Sequence, residues 1–111
     1  MQEDEGLDNL HTTERIDWCA FSSGIYNFSG KKFQCGNISN VNHNNKSVTL
    51  SNSFTTLPKL LTKCSTYNGS DPVNTRNKEP VLSFTIKLQE DTARDSETNH
   101  VNEDVSFIAV E

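Results

Sequence analysis

Few residues in this chain are equipped for chemistry, and they lie far apart in the sequence. The candidates are three histidines (His11, His43, His100), three cysteines (Cys19, Cys35, Cys64) and one acidic stretch holding Glu90, Asp91, Asp95 and Glu97. General acid–base catalysis needs a supported histidine or carboxylate beside a nucleophile. Each histidine sits in the polar surroundings of an arm or a loop, which reads as a solvated ring. No Gly-x-Ser-x-Gly elbow, phosphate loop, His-Glu-x-x-His or Cys-x-x-Cys is present. The expectation is a protein that is not an enzyme, with no cofactor and no metal.

Two of these groups keep a second reading. The acidic stretch offers the hard oxygen ligands that calcium takes, without EF-hand spacing. Its plainer reading is an edge kept soluble and unable to pair with another edge. The odd cysteine count allows at most one internal disulfide and leaves one thiol over. Cys19 and Cys35 flank the first aromatic segment, at a separation where a bridge contributes about 3 kcal/mol. Cys64 alternates with Leu60 and Thr62 and reads as a small buried hydrophobe, with a bridge between subunits as the alternative.

The elements that must position these groups follow from composition and periodicity. A chain of 111 residues with 32% hydrophobic and 23% charged content makes one domain around one thin core. Its polar residues are mostly Asn, Ser and Thr, which favour strands and turns over helices. Residues 1–15 carry five acids and no periodicity and are expected to be a flexible acidic arm, with the domain spanning 16–111.

Trp18 to Phe28 looks like a strand entered through the turn at Ser22-Ser23-Gly24, and 36–45 looks like a long polar loop. Val48 and Leu50 share a face in 47–51, and in 59–66 Leu60, Thr62 and Cys64 oppose Lys59, Leu61 and Lys63. The clearest period of two is Leu82, Phe84, Ile86 and Leu88 against Ser83, Thr85 and Lys87. Val105 to Val110 is apolar on both faces, as in a central or oligomer-facing strand. Loops are expected at 67–80 and 89–102. The fold class is therefore all-β.

The net charge of −5 conceals a lysine-bearing middle (Lys31, Lys32, Lys46, Lys59, Lys63) between acidic ends. The whole chain repels nucleic acid and acidic membranes, and those lysines read as a solvated face. No apolar run approaches the roughly 18 residues of a membrane span, so no membrane insertion is expected. Met1 to Glu14 is acidic where a secretory leader would be basic and then apolar, which points to a leaderless protein or a trimmed mature form. Asn27-Phe-Ser, Asn37-Ile-Ser, Asn45-Lys-Ser and Asn68-Gly-Ser are glycosylation acceptors. Composition alone supplies some such triplets, so an extracellular or cell-surface location is favoured and a cytoplasmic one left open.

Val48-x-Leu50, then Phe54, then Pro58 followed by Leu60-Leu61, resembles the Val-x-Phe, Phe, Pro-x-Val progression of the H-type lectin domain. That is the family of snail agglutinins and of the C-terminal domain of discoidins. The closing Val105-Ser-Phe107-Ile108-Ala109-Val110 is similar to its terminal strand, and Ser23-Gly24 ahead of the first strand is a third anchor. The resemblance spans 21–111. It implies a six-stranded antiparallel β-sandwich that forms a homotrimer, with no catalytic role. Its partner would be a glycan bearing galactose or N-acetylgalactosamine (GalNAc), bound near subunit boundaries, as in cell adhesion.

A pyranose site needs an aromatic face and fixed polar groups. Where the family has a Trp-His pair this chain has Gln89, Glu90, Asp91 and Thr92, none of which can stack. Ser23, Gly24, Arg76, Asp91 and Thr92 are the candidate ligand-binding residues that the resemblance implies. Their plain readings are a turn, a loop charge and a strand end. A structural protein that uses a lectin-like sandwich to dock a protein partner is the alternative.

Overall fold

The computed structural model describes residues 13–51, 54–78, 82–93 and 96–111. They form seven strands: β1 (Gly24–Phe28), β2 (Lys31–Val41), β3 (Lys46–Thr49), β4 (Lys59–Cys64), β5 (Val73–Lys78), β6 (Ser83–Glu90) and β7 (Glu103–Val110). No helix occurs among the described residues. Every pairing is antiparallel, in a four-stranded sheet ordered β1-β2-β7-β4 and a three-stranded sheet ordered β3-β6-β5.

The alternation that makes each strand also selects its inner face. On β7, Val105, Phe107 and Ala109 are buried, and on β6, Phe84, Ile86 and Leu88 are buried. These two stripes meet with Ile38, Val41, Leu50 and Phe54 in one apolar cluster. Each such side chain withdrawn from water contributes about 1.5–3 kcal/mol. Phe84 meets Phe107 edge-on, with ring centroids 6.4 Å apart, the geometry that aromatic quadrupoles favour. β7 is the central strand that its two apolar faces implied, flanked by β2 and β4.

Polar clasps close the margins of this core. Along the β4–β5 seam the Thr62 hydroxyl donates to Thr75 Oγ1 at 2.9 Å, and the Thr75 hydroxyl is 3.2 Å from Thr62 O. Near the end of β7, one Glu111 oxygen accepts from the backbone N–H and hydroxyl groups of Thr55 and Thr56. The Thr55 hydroxyl leads these bonds in outweighing the cost of burial, and the Glu111 carboxyl is pulled down to about 2.

Three expectations need correction. The segment 36–45 is mostly strand, because β2 runs on to Val41 with Ile38 and Val41 anchored in the core. A register shift between Ile38 and Val41, with Asn40 at φ 56°, absorbs the extra residue; asparagine tolerates that conformation better than most side chains. Asp104 Oδ1 accepts from the Asn40 N–H, and Lys46 Nζ donates to Ser39 O at 2.6 Å, which fixes the bulge. The second correction concerns 67–80, which contains β5. That strand reads Val-Asn-Thr-Arg-Asn-Lys, an edge strand with little apolar alternation to reveal it. Counting it brings the described strands to seven rather than six.

The third concerns the entry to the domain. Of Trp18 to Phe28 only Gly24–Phe28 is strand, and Trp18 is 84% exposed. β1 is the edge of the larger sheet, and all five of its residues are exposed. With four strands facing three, β1 overhangs its opposite layer, so Ile25 is exposed although it shares a face with Gln34. Of the acidic arm, residues 1–12 lie outside the described residues.

Gly36 stands opposite Phe107, and a Cβ built there would meet the Phe107 ring at 2.7 Å. Backbone strain is not the issue, since space alone excludes a side chain. Gly36→Ala should therefore destabilise the fold by about 1–3 kcal/mol, the usual cost of overpacking, as read by urea denaturation. Combining it with Phe107→Leu should recover part of that loss, whereas strictly additive losses would show that this contact is not responsible.

Candidate functional site

At one end of the two sheets the inner stripes continue into charge. The stripe Phe84, Ile86, Leu88 extends in the same parity to Glu90, and the stripe Ala109, Phe107, Val105 extends to Glu103. Both carboxylates are buried, and His100 is buried between them. Its Nδ1 lies 2.7 Å from Glu90 Oε1 and its Nε2 lies 3.2 Å from Glu103 Oε1. His100 is thus not the solvated loop residue that its neighbours in sequence suggested. The loop leading into β7 folds inward because two buried carboxylates need donors.

Glu103 is the hub. Thr66 donates its hydroxyl to Oε2 at 2.6 Å, and the backbone N–H groups of Asn68 and Gly69 donate to Oε1 at 2.7 and 2.8 Å. Burial pushes the Glu103 carboxyl upward, but the bonds from Thr66, Gly69, Asn68 and His100 outweigh it and hold the group below its ordinary range. Gly69 lies against the histidine, where a Cβ would meet the His100 ring at 2.5 Å. Both ring nitrogens face carboxylate oxygens. A neutral ring carries one N–H and can donate to only one of them at a time.

That arrangement limits the chemistry available. With each ring nitrogen committed to a buried carboxylate, no ring nitrogen is directed toward a bound molecule. Among the described residues no group of three or more His, Cys, Asp and Glu is placed to hold a metal ion. Within the acidic stretch, Glu90 turns inward while Asp91 accepts from the Ala93 N–H at 3.0 Å. Asp95 lies outside the described residues.

Above the buried cluster the loops form a polar crown. Asn42 Nδ2 donates to Asn102 Oδ1 and Asn68 Nδ2 donates to Asn102 O, both at 2.9 Å. His43 Nδ1 is 3.2 Å from His100 O, and the Asn44 N–H donates to Asn42 Oδ1. From this crown Tyr67 projects, 67% exposed, with its hydroxyl donated to Ser70 O at 2.6 Å. Tyr67 was not singled out in the sequence. The available signal was an aromatic residue inside a turn-rich polar stretch, Ser65-Thr66-Tyr67-Asn68-Gly69-Ser70.

The five residues nominated from the sequence do not converge in one chain. Asp91 and Thr92 follow β6 at the crown, where the Asp91 N–H donates to Pro72 O at 3.0 Å. Arg76 lies on edge strand β5, and its Nε donates to Gln89 Oε1 at 2.6 Å. Ser23 and Gly24 lie at the far edge of the other sheet, with Gly24 opposite Cys35. β1 borders one edge of the four-stranded sheet and the β4–β5 seam lies at the other, so these two sets are separated by the width of the sheet.

Glu103 yields a test. Glu103→Gln removes the charge but keeps the shape, leaving buried donors facing an amide, and should destabilise the protein by about 3 kcal/mol near neutral pH. Because the folded-state carboxyl titrates below its ordinary 4.5, its stabilisation is fully present above that value and is lost as pH falls through the lower folded one. Denaturation curves from pH 7 down to pH 3 should show the variant and the parent converging in acid. A gap that stays constant over that range would count against the charge as the cause. Comparison of the chain with family models, curated proteins and solved structures returns no match, so the site stands on its own geometry.

Proposed function

We propose that this chain is a non-catalytic carbohydrate-binding module that takes galactose- or GalNAc-type glycans at the crown around Tyr67. The observation that carries the reading is the tyrosine itself. Its ring is open to solvent while its hydroxyl is tied to Ser70 O, so the aromatic platform is fixed before any ligand arrives. Asn68, next to it in the chain, is tied to Asn102, and Asn102 to Asn42, by hydrogen bonds. Fixed side-chain amides next to a flat apolar face suit a pyranose, which presents C–H groups on one side and hydroxyls at its rim.

The sugar class and the trimer come from the resemblance to H-type lectins. The six-stranded sandwich of that family belongs to the same proposal, with one of the seven strands here an edge addition. In a trimer, Ser23 and Gly24 of one copy would complete a site bordered by Asp91 and Thr92 of another, and several weak sites would act together. A cell-surface or extracellular setting, as in adhesion, fits this reading.

The test is retention on immobilised galactose and GalNAc with competition by free sugar. Tyr67→Ala should weaken binding on the order of tenfold with its melting temperature unchanged. Retention that ignores both free sugar and the variant would overturn the proposal.

One observation favours a second reading, that of an assembly protein. On the outer face of the four-stranded sheet Leu61 is 68% exposed and lies opposite Ile108, beside a shallow cleft that both residues line. The occupant in this reading is a second copy of the chain, apposed through that apolar row. Leu61→Asp should then lower the mass found by sedimentation while leaving the fold intact. An unchanged mass would remove this face from consideration.

A further inference from the structure

Two thiols share a cleft on the outer face of the four-stranded sheet. Cys35 lies on β2 between Gly24 and Ile108 in the cross-strand register, so its side chain points away from the core shared with the second sheet. It is nonetheless only 6% exposed. Its cover is the segment that leads into β1, since Cys19, Ala20, Phe21 and Ser23 line the same cleft of about 270 Å³ as Cys35.

Tyr26 holds that segment down. Its hydroxyl donates to Ser22 O at 2.7 Å, its ring packs 6.4 Å from that of Phe21, and it lies over Gly24, where a Cβ would sit 3.5 Å from the hydroxyl. Burial, and to a lesser extent the neighbouring Cys19, raise the Cys35 thiol above its ordinary range. Cys64 is elsewhere. It lies on the inner side of β4, packed against the core, and donates to Thr66 O.

We propose that Cys19 and Cys35 form a disulfide that fastens the segment before β1 across the outer face of the sheet. Both are free thiols in this structure. With a small-molecule disulfide such as oxidised glutathione as oxidant, the exposed Cys19 loses its proton and its thiolate attacks one glutathione sulfur. A mixed disulfide forms and one glutathione thiolate leaves. Cys35, deprotonated in turn, attacks the Cys19 sulfur; the Cys19–Cys35 bond forms as the second glutathione thiolate departs. Two protein thiols are oxidised, one glutathione disulfide is reduced to two thiols, and the two protons end on those thiols. The closed bridge anchors the chain next to Trp18, so the strand-entry segment presents that ring from a fixed base.

The full chain, equilibrated in a glutathione buffer and then acid-quenched, is read by intact mass and by non-reducing peptide mapping. Expected are a mass lower by two hydrogens, a linked peptide containing Cys19 and Cys35, and a melting temperature higher on the order of 10 °C than the reduced form. Cys64→Ser should leave all three unchanged. Cys19→Ser, at an exposed position, should abolish them while leaving the melting temperature of the reduced protein intact. A bridge to Cys64, a persistent glutathione adduct at Cys19, or a fully reduced protein in an oxidising buffer would each overturn the proposal. Because glycan retention is measured separately, neither result decides the other.

Discussion

A carboxylate that is 1% exposed must be met by donors, and at Glu103 four converge: the Thr66 hydroxyl, the Asn68 and Gly69 amides, and the His100 ring. This one requirement sets the path of two loops. The stretch 66–69 must wrap around the end of β7 to present its N–H groups, and the chain before β7 must turn His100 inward. Removing a partner from such a cluster leaves a buried group unsatisfied, which costs more than the bond itself contributes. The asparagine crown and Tyr67 stand on that clamp, so an electrostatic feature inside the domain determines which polar groups are fixed outside it.

The two sheets divide the remaining work unequally. The core depends on three strands of the larger sheet and all three of the smaller, through the Thr62–Thr75 pair at one margin and the apolar stripes of β6 and β7 at the centre. β1 adds no buried side chain, yet it carries Tyr26 and so positions the segment that covers Cys35. Features open to contact therefore fall on opposite parts of the molecule. The crown lies at the loop end, while the apolar row of Leu61 and Ile108 and the cysteine cleft lie on the outer face of the four-stranded sheet.

The parts of the fold legible in the sequence were those in which a side-chain period of two coincides with burial. Leu60, Thr62 and Cys64, and the stripe Phe84, Ile86, Leu88, fall on the inner faces that their alternation implied. β5 was hidden because an edge strand with one polar face and hydroxyl packing on the other needs little apolar signal. β2 was hidden because asparagines at its exposed positions imitate a loop. The buried acid–histidine cluster was missed for a different reason: charge normally marks the surface, and only continuing the parity from Leu88 to Glu90 and from Val105 back to Glu103 places these carboxylates inside. Of the nominated polar residues, Asp91 and Thr92 do reach the loop end. Arg76 is engaged by Gln89, a cross-strand diagonal that pairing registers reveal and sequence spacing does not.

Gly69 and His100, thirty-one positions apart in the chain, are fitted as a single volume, as are Gly36 and Phe107. In each pair the space a side chain would fill on one strand or loop is already taken by a ring from another. Neither member of such a pair can gain bulk while the other keeps its size. A lineage that gains bulk at 69 must shrink the residue at 100, and with it surrender the ring that bridges the two acids. Site-by-site drift is thus blocked at the loop end, and covariation of 69 with 100, together with 90 and 103, is the trace this constraint would leave across diverging sequences.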